Sequence, residues 1–157
     1  MRLLNPAKMA RDVRNNLVGR AEFLAYCLIF AIGILFSIAL LAGISDYYVY
    51  ESGLLHLLDV ILVAAAGLGT LYIAYNANRQ GDGRNFWYRY ISINIPILLL
   101  MVIGAFVLGI LFGIVDIAVG TTTFDGTYSY DDLAIELVFA IFVLYMTHKY
   151  MRLAAQG

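Results

Sequence analysis

Long apolar stretches alternate with short polar ones along this chain, and within each apolar stretch there is no further alternation. Four such runs occur, at 23–45, 60–78, 90–115 and 133–151. The first three hold 23, 19 and 26 residues without a charge, whereas the fourth contains Glu136, His148 and Lys149. A helix needs about 20 residues to cross a hydrocarbon core of about 30 Å, so all four are long enough. Backbone groups in lipid are satisfied only by helices or closed barrels, and barrel strands would alternate polar with apolar residues. The pattern therefore predicts an all-α membrane protein with four transmembrane helices. The third run, about 39 Å long by helical rise, must tilt, kink or project from the lipid. Pro96 removes the hydrogen bond to the Ser92 carbonyl and predicts a kink there. The first run is too long for the apolar core of a secretory signal, and about twenty residues precede it. It is read as a span.

Ahead of that span, residues 6–18 read as a short interfacial amphipathic helix. Asn5 suits the cap and Pro6 the first helical position. Ala10, Val13 and Leu17 share one face, while Lys8, Arg11 and Arg14 point elsewhere. Such a helix can lie in an anionic leaflet or pack on a partner, and the pattern leaves both open.

Charge then orients the runs. Charged residues make up 13% of the 157, about half the usual ~25% of soluble domains, and the length suits a single domain. All ten basic residues fall in 1–22, in 79–89 and in 149–152. The connections 46–59 and 116–132 hold none, carrying Asp46, Glu51, Asp59, Asp116, Asp125, Asp131 and Asp132 instead. Cytoplasmic loops accumulate Lys and Arg, so a multi-pass inner-membrane protein with both termini cytoplasmic is expected. Its partners are then the bilayer and its anionic headgroups, with other membrane subunits or a second copy, and no nucleic acid.

The polar segment RQGDGRNFWYR, 79–89, becomes the cytoplasmic turn between the second and third spans. Gly81 and Gly83 permit a tight reversal. Arg79, Asp82, Arg84, Trp87 and Arg89 are candidate contacts for lipid headgroups or a soluble partner. The clustered tyrosines fit an interfacial belt.

The ends of the second and fourth runs, LYIAYNANR (71–79) and LYMTHKYMR (144–152), match at Leu-Tyr and at the final Arg. The same offset aligns Asp59 with Asp132 and Val63 with Glu136. This raises two tandem helical hairpins related as parallel repeats, against the plainer view that helices ending inside tend to finish with Tyr and Arg. Asp132 is expected to cap the outer end of the fourth helix.

Two motifs, Gly19, Arg20, Glu22, Phe23 and Arg79, Asp82, Gly83, Arg84, Trp87, resemble those of the bacterial inner-membrane proteins grouped as domain of unknown function 805. The resemblance spans roughly residues 17–115. It implies a small multi-span bacterial membrane protein and brings no known activity.

No phosphate loop, zinc-protease motif, nucleophile elbow or dinucleotide fingerprint occurs. The single Cys27 offers no disulfide framework, and no cofactor or metal is expected. His56 and Asp59 could share a helical face, but without a third ligand they read as a solvated loop pair. The segment TTTFDGTYSYDD, 121–132, lacks the alternating ligands of a calcium loop. Ala39 with Gly43, Ala65 with Gly69 and Gly109 with Gly113 are four-residue small pairs that permit close helix approach, within the bundle or to another subunit. Glu136 is the one acid inside a run, placed about one turn below the outer boundary, and is expected to face inward. These features predict a non-catalytic accessory or scaffold subunit of a larger membrane assembly. The alternative is a small transporter or channel using Glu136, although its polar mid-membrane residues are few: Thr70, Ser92, Asn94 and Thr147.

Overall fold

A computed structural model describes residues 3–43, 49–119 and 127–156. Among these, five helices and one two-stranded bridge form: α1 (Pro6–Arg14), α2 (Arg20–Gly43), β1 (Val49–Tyr50), α3 (Gly53–Gln80), α4 (Phe86–Val119), β2 (Thr127–Tyr128) and α5 (Tyr130–Ala155). Asp46, Tyr47, Tyr48 and Asp125 lie outside the described residues.

The helix ends follow capping chemistry rather than hydropathy. Asn5 caps α1 as expected, its side chain accepting the Lys8 N–H at 2.9 Å, with Pro6 opening the helix. The helix stops at Arg14, four residues short of the expected end. Asn16 is left-handed at φ 55°. The Asn16 N–H then reaches the Val13 carbonyl at 3.1 Å and the Leu17 N–H reaches Asp12 at 2.8 Å, which closes the carbonyl end of the helix. Leu17 consequently leaves the buried face, which is Met9, Ala10 and Val13. That face packs against α4 and α5, so its apolar side is used within the chain and not on lipid.

The helices α3, α4 and α5 also overrun their apolar runs at both ends. Ser52 caps α3, its Oγ accepting the Leu55 N–H at 3.2 Å, so the helix begins seven residues before the expected 60. Ser129 caps α5 in a reciprocal box with Asp132. Asp132 is therefore the third helical residue and answers the cap, instead of being the cap. α4 continues unbroken through the buried Pro96.

Two helices are long and apolar enough to cross a membrane, Gly53–Gln80 and Phe86–Phe112, with mean hydropathies of 2.1 and 2.9 over their most apolar windows. Only 17% of each window is buried, which is unlike the core helix of a water-soluble fold. The chain is thus mostly helical with two candidate spans among the described residues, which does not support the expected four.

Among the described residues, α3 and α5 form the largest packing interface and run parallel. Their starts are joined by the parallel bridge, Val49 opposite Thr127 and Tyr50 opposite Tyr128. Their far ends are joined by the Asp82 N–H to the Ala155 carbonyl at 3.2 Å. Small buried residues, Ala74, Ala77 and Ala154, let the two backbones approach there. α2 rests on α4, and no packed interface between α2 and α3 is found among the described residues. Of the two expected hairpins, α4 and α5 do pack on each other, and each helix of the first half also meets its counterpart in the second. The proposed repeat frame also slips at one end. Asp59 is the seventh residue of α3, whereas Asp132 is the third of α5.

Candidate functional site

The helices gather two polar clusters at opposite ends of the α3–α5 pair. At the basic end, the turn between α3 and α4 is a clamp. Gly81 must be glycine because a Cβ there would stand 2.3 Å from the Ala155 carbonyl oxygen. Gly83 takes the left-handed φ of 66°, which glycine adopts without steric cost, and its N–H reaches the Asn78 carbonyl at 3.0 Å. Arg89, only 6% exposed, reaches back from the first turn of α4. It donates through Nη2 to Asp82 Oδ2 at 2.7 Å, through Nη1 to Asp82 Oδ1, and through Nη1 to Asn78 Oδ1 at 2.9 Å. The Arg84 N–H adds a bond to Asp82 at 3.0 Å. Arg89, with that Arg84 N–H, holds the Asp82 carboxyl down at about 2.

Within the polar segment, Asp82 and Arg89 are matched to each other. Arg79, Arg84 and Trp87 remain exposed. The two motif segments also meet in space: Asn16, Val18 and Arg20 from one side face Asn85 and Tyr88 from the other across an open cleft of about 590 Å³. Tyr88 bolts them together, donating its hydroxyl to the Val18 carbonyl at 3.0 Å and packing on Phe23 at 5.1 Å.

The acidic end is built differently. Asp59 is not a solvated loop residue: starting α3 at Gly53 places it inside the helix, 6% exposed. Tyr50 donates to Asp59 Oδ2 at 2.7 Å, and Tyr128 approaches Oδ1 at 3.5 Å. Glu136 comes from α5 into interaction range of both Asp59 and Tyr128, so it faces inward as expected. Its Oε2 is buried with no hydrogen-bond partner among the described residues. Burial and the adjacent carboxylates push the Tyr128 hydroxyl far up, so it stays a proton donor. His56 stacks on Tyr50 at 4.6 Å instead of pairing with Asp59 for a metal, and among the described residues no group of three or more His, Cys, Asp or Glu is placed to hold one.

Sequence reasoning found Glu136 but missed its neighbour. Ser52, with the apolar Leu54, Leu55, Leu57 and Leu58 behind it, marks an earlier helix start, and that start would have put Asp59 within the bundle. Midway, Thr147 donates to Asn94 Oδ1 at 3.1 Å, tying α5 to α4, while the buried Ser92 Oγ has no partner among the described residues.

The small-residue pairs divide. A Cβ on Gly69 would meet Leu144 of α5 at 3.3 Å, so that face is consumed within the chain, whereas one on Gly109 would meet nothing within 4 Å. The side-chain surroundings of Ala39, Gly43 and Gly113 lie outside the described residues. No family model, curated protein or solved structure matches this chain.

Proposed function

We propose that the chain is a non-catalytic integral membrane protein of four spans, α2 to α5, serving as an accessory or scaffold subunit of a larger bacterial inner-membrane assembly. The positive-inside tendency puts the basic end, with both termini, on the cytoplasmic side. The resemblance to domain of unknown function 805 is part of this proposal. The supporting observation is the uncovered part of α4. Residues 105–111 are exposed around the whole helix, and the small-residue face at Gly109 is open where that at Gly69 is filled. Without a hydrophobic drive between helices in lipid, open small-residue faces are where close packing is gained. Purification of the tagged protein in mild detergent tests this. A stoichiometric partner or a stable homo-oligomer is expected, with Gly109→Leu releasing it. A lone monomer at every concentration would sink the proposal.

A second reading, a small transporter or channel, is favoured by one observation: Glu136 and Asp59 approach from different helices, leaving an unpartnered buried oxygen. A proton or small cation between two such carboxyls would relieve their repulsion. Proteoliposome flux of protons or alkali cations, lost in Glu136→Gln with insertion intact, is its expected signature. Absence of flux in the wild type removes it.

A further inference from the structure

At the basic end, on the outward side of the α3–α4 pair, lies an open groove of about 420 Å³ lined by Leu68, Leu71, Tyr72, Tyr75, Phe86 and Trp87. Its walls are almost wholly apolar. The rings form a continuous surface: Phe86 packs edge-on to Tyr75 at 5.8 Å and to Trp87 at 5.0 Å. Leu68, Tyr72, Tyr75 and Arg79 recur at helical spacing and so lie along one face of α3. The apolar stripe therefore ends, one turn beyond Tyr75, on a guanidinium. Arg79 is exposed, and its side chain has no ion pair or hydrogen bond among the described residues. The charge balance of the turn is decided by the clamp beside it. Asp82 is committed to Arg89, so those two charges cancel and Arg79 and Arg84 leave a net charge of about +2.

We propose that this groove is a binding site for one anionic phospholipid, with an acyl chain against Leu68, Leu71 and the rings and the phosphate at Arg79. Its apolar walls suit an acyl chain, and a guanidinium pairs with phosphate oxygens in a fork. A zwitterionic headgroup brings an ammonium toward the two arginines, whereas an anionic one does not. Selectivity follows from that difference. The inference rests on the membrane placement proposed above.

Trp87 is the sole tryptophan of the chain and lines the groove, so its fluorescence reports the occupant directly. The full-length protein is reconstituted in phosphatidylcholine vesicles containing acyl-brominated phosphatidylglycerol or, at equal mole fraction, acyl-brominated phosphatidylcholine. Brominated phosphatidylglycerol is expected to occupy the site about fivefold more readily, the size of one basic residue's attraction to anionic lipid. Arg79→Gln, an exposed change that keeps the helix, should bring the ratio to near one while the emission maximum stays in place. Equal quenching by the two lipids in the wild type overturns the proposal, as does an unchanged ratio in Arg79→Gln. Quenching that is relieved as the protein-to-lipid ratio rises, with no lipid preference, assigns the groove to a second copy and also overturns it. No quenching by either lipid instead overturns the membrane placement itself, which separates the two failures.

Discussion

Both ends of the α3–α5 pair bury charge, and they solve the problem in opposite ways. At the basic end, a buried guanidinium meets a carboxylate through two contacts and an amide through a third. At the acidic end, two carboxyls approach each other and share two tyrosine hydroxyls, with one oxygen left bare. A buried charge is tolerated when opposite charge and hydrogen bonds answer it. The first cluster meets that condition and reads as a fastener. The second does not, and a group kept against its own stability is a candidate for function.

Breaking the fastener should have the largest effect. Arg89→Ala strands Asn78 and Asp82 and is expected to lower stability by roughly 2–3 kcal/mol, below the upper range for buried pairs because Asp82 keeps contact with solvent. Thermal unfolding in mild detergent measures it, and an unchanged midpoint would mean the clamp carries no weight. Next comes Gly81→Ala. The added Cβ would stand 2.3 Å from a backbone oxygen that cannot rotate away, so the turn must separate from the end of α5. A loss of about 1–3 kcal/mol is expected, as for overpacking, together with faster exchange of the Asp82 amide, which bonds Ala155.

Acid should weaken the same end more gently. Asp82 titrates at about 2 in the folded protein against an ordinary 3.8, so the unfolded chain takes up its proton first. The clamp's contribution is complete above the ordinary value and fades as pH falls from about 4 toward 2. Asp82→Asn should unfold with no such dependence in that window. A wild type as flat as the variant would show that Arg89 does not hold the carboxylate in solution.

How far these two clusters were legible in the sequence follows from what each depends on. Hydropathy and length are local, so the helical runs were readable, as was the Asn5–Pro6 start of α1. The division of charge was readable too, and the basic segments do meet at one end, through Asp82 with Ala155 and Arg14 with the Gln156 carbonyl at 3.3 Å. Helix ends were misplaced because Ser52, Ser129 and Asn16 set them through hydrogen bonds that hydropathy does not register. The pairing of Asp82 with Arg89 spans only the turn and one helical step, yet a count of arginines treats each as free. The meeting of Asp59 with Glu136 was least legible. It needs both the earlier start of α3 and the parallel packing of α3 on α5, a choice of partner that no local pattern encodes.

The smallest expected effect carries the sign that separates the two ends. Glu136→Gln keeps the shape of the side chain, removes its capacity to ionise, and leaves an amide able to donate to Asp59 while its oxygen still accepts from Tyr128. Asp59→Asn does the same from the other helix and retains an acceptor for Tyr50. If the pair is held against its own repulsion, either change should leave stability unaltered or raise it by up to about 1 kcal/mol, because a like-charge contact is exchanged for a hydrogen bond. The double variant should gain less than the sum, since the repulsion can be relieved only once; that shortfall is the coupling a double-mutant cycle reports. Thermal unfolding of the four proteins at neutral pH supplies the cycle. Should both single variants lose stability as Arg89→Ala does, the acidic cluster is a satisfied network and the contrast between the ends disappears. Additive gains would show instead that the two carboxyls do not interact, and that each is costly only because it is buried.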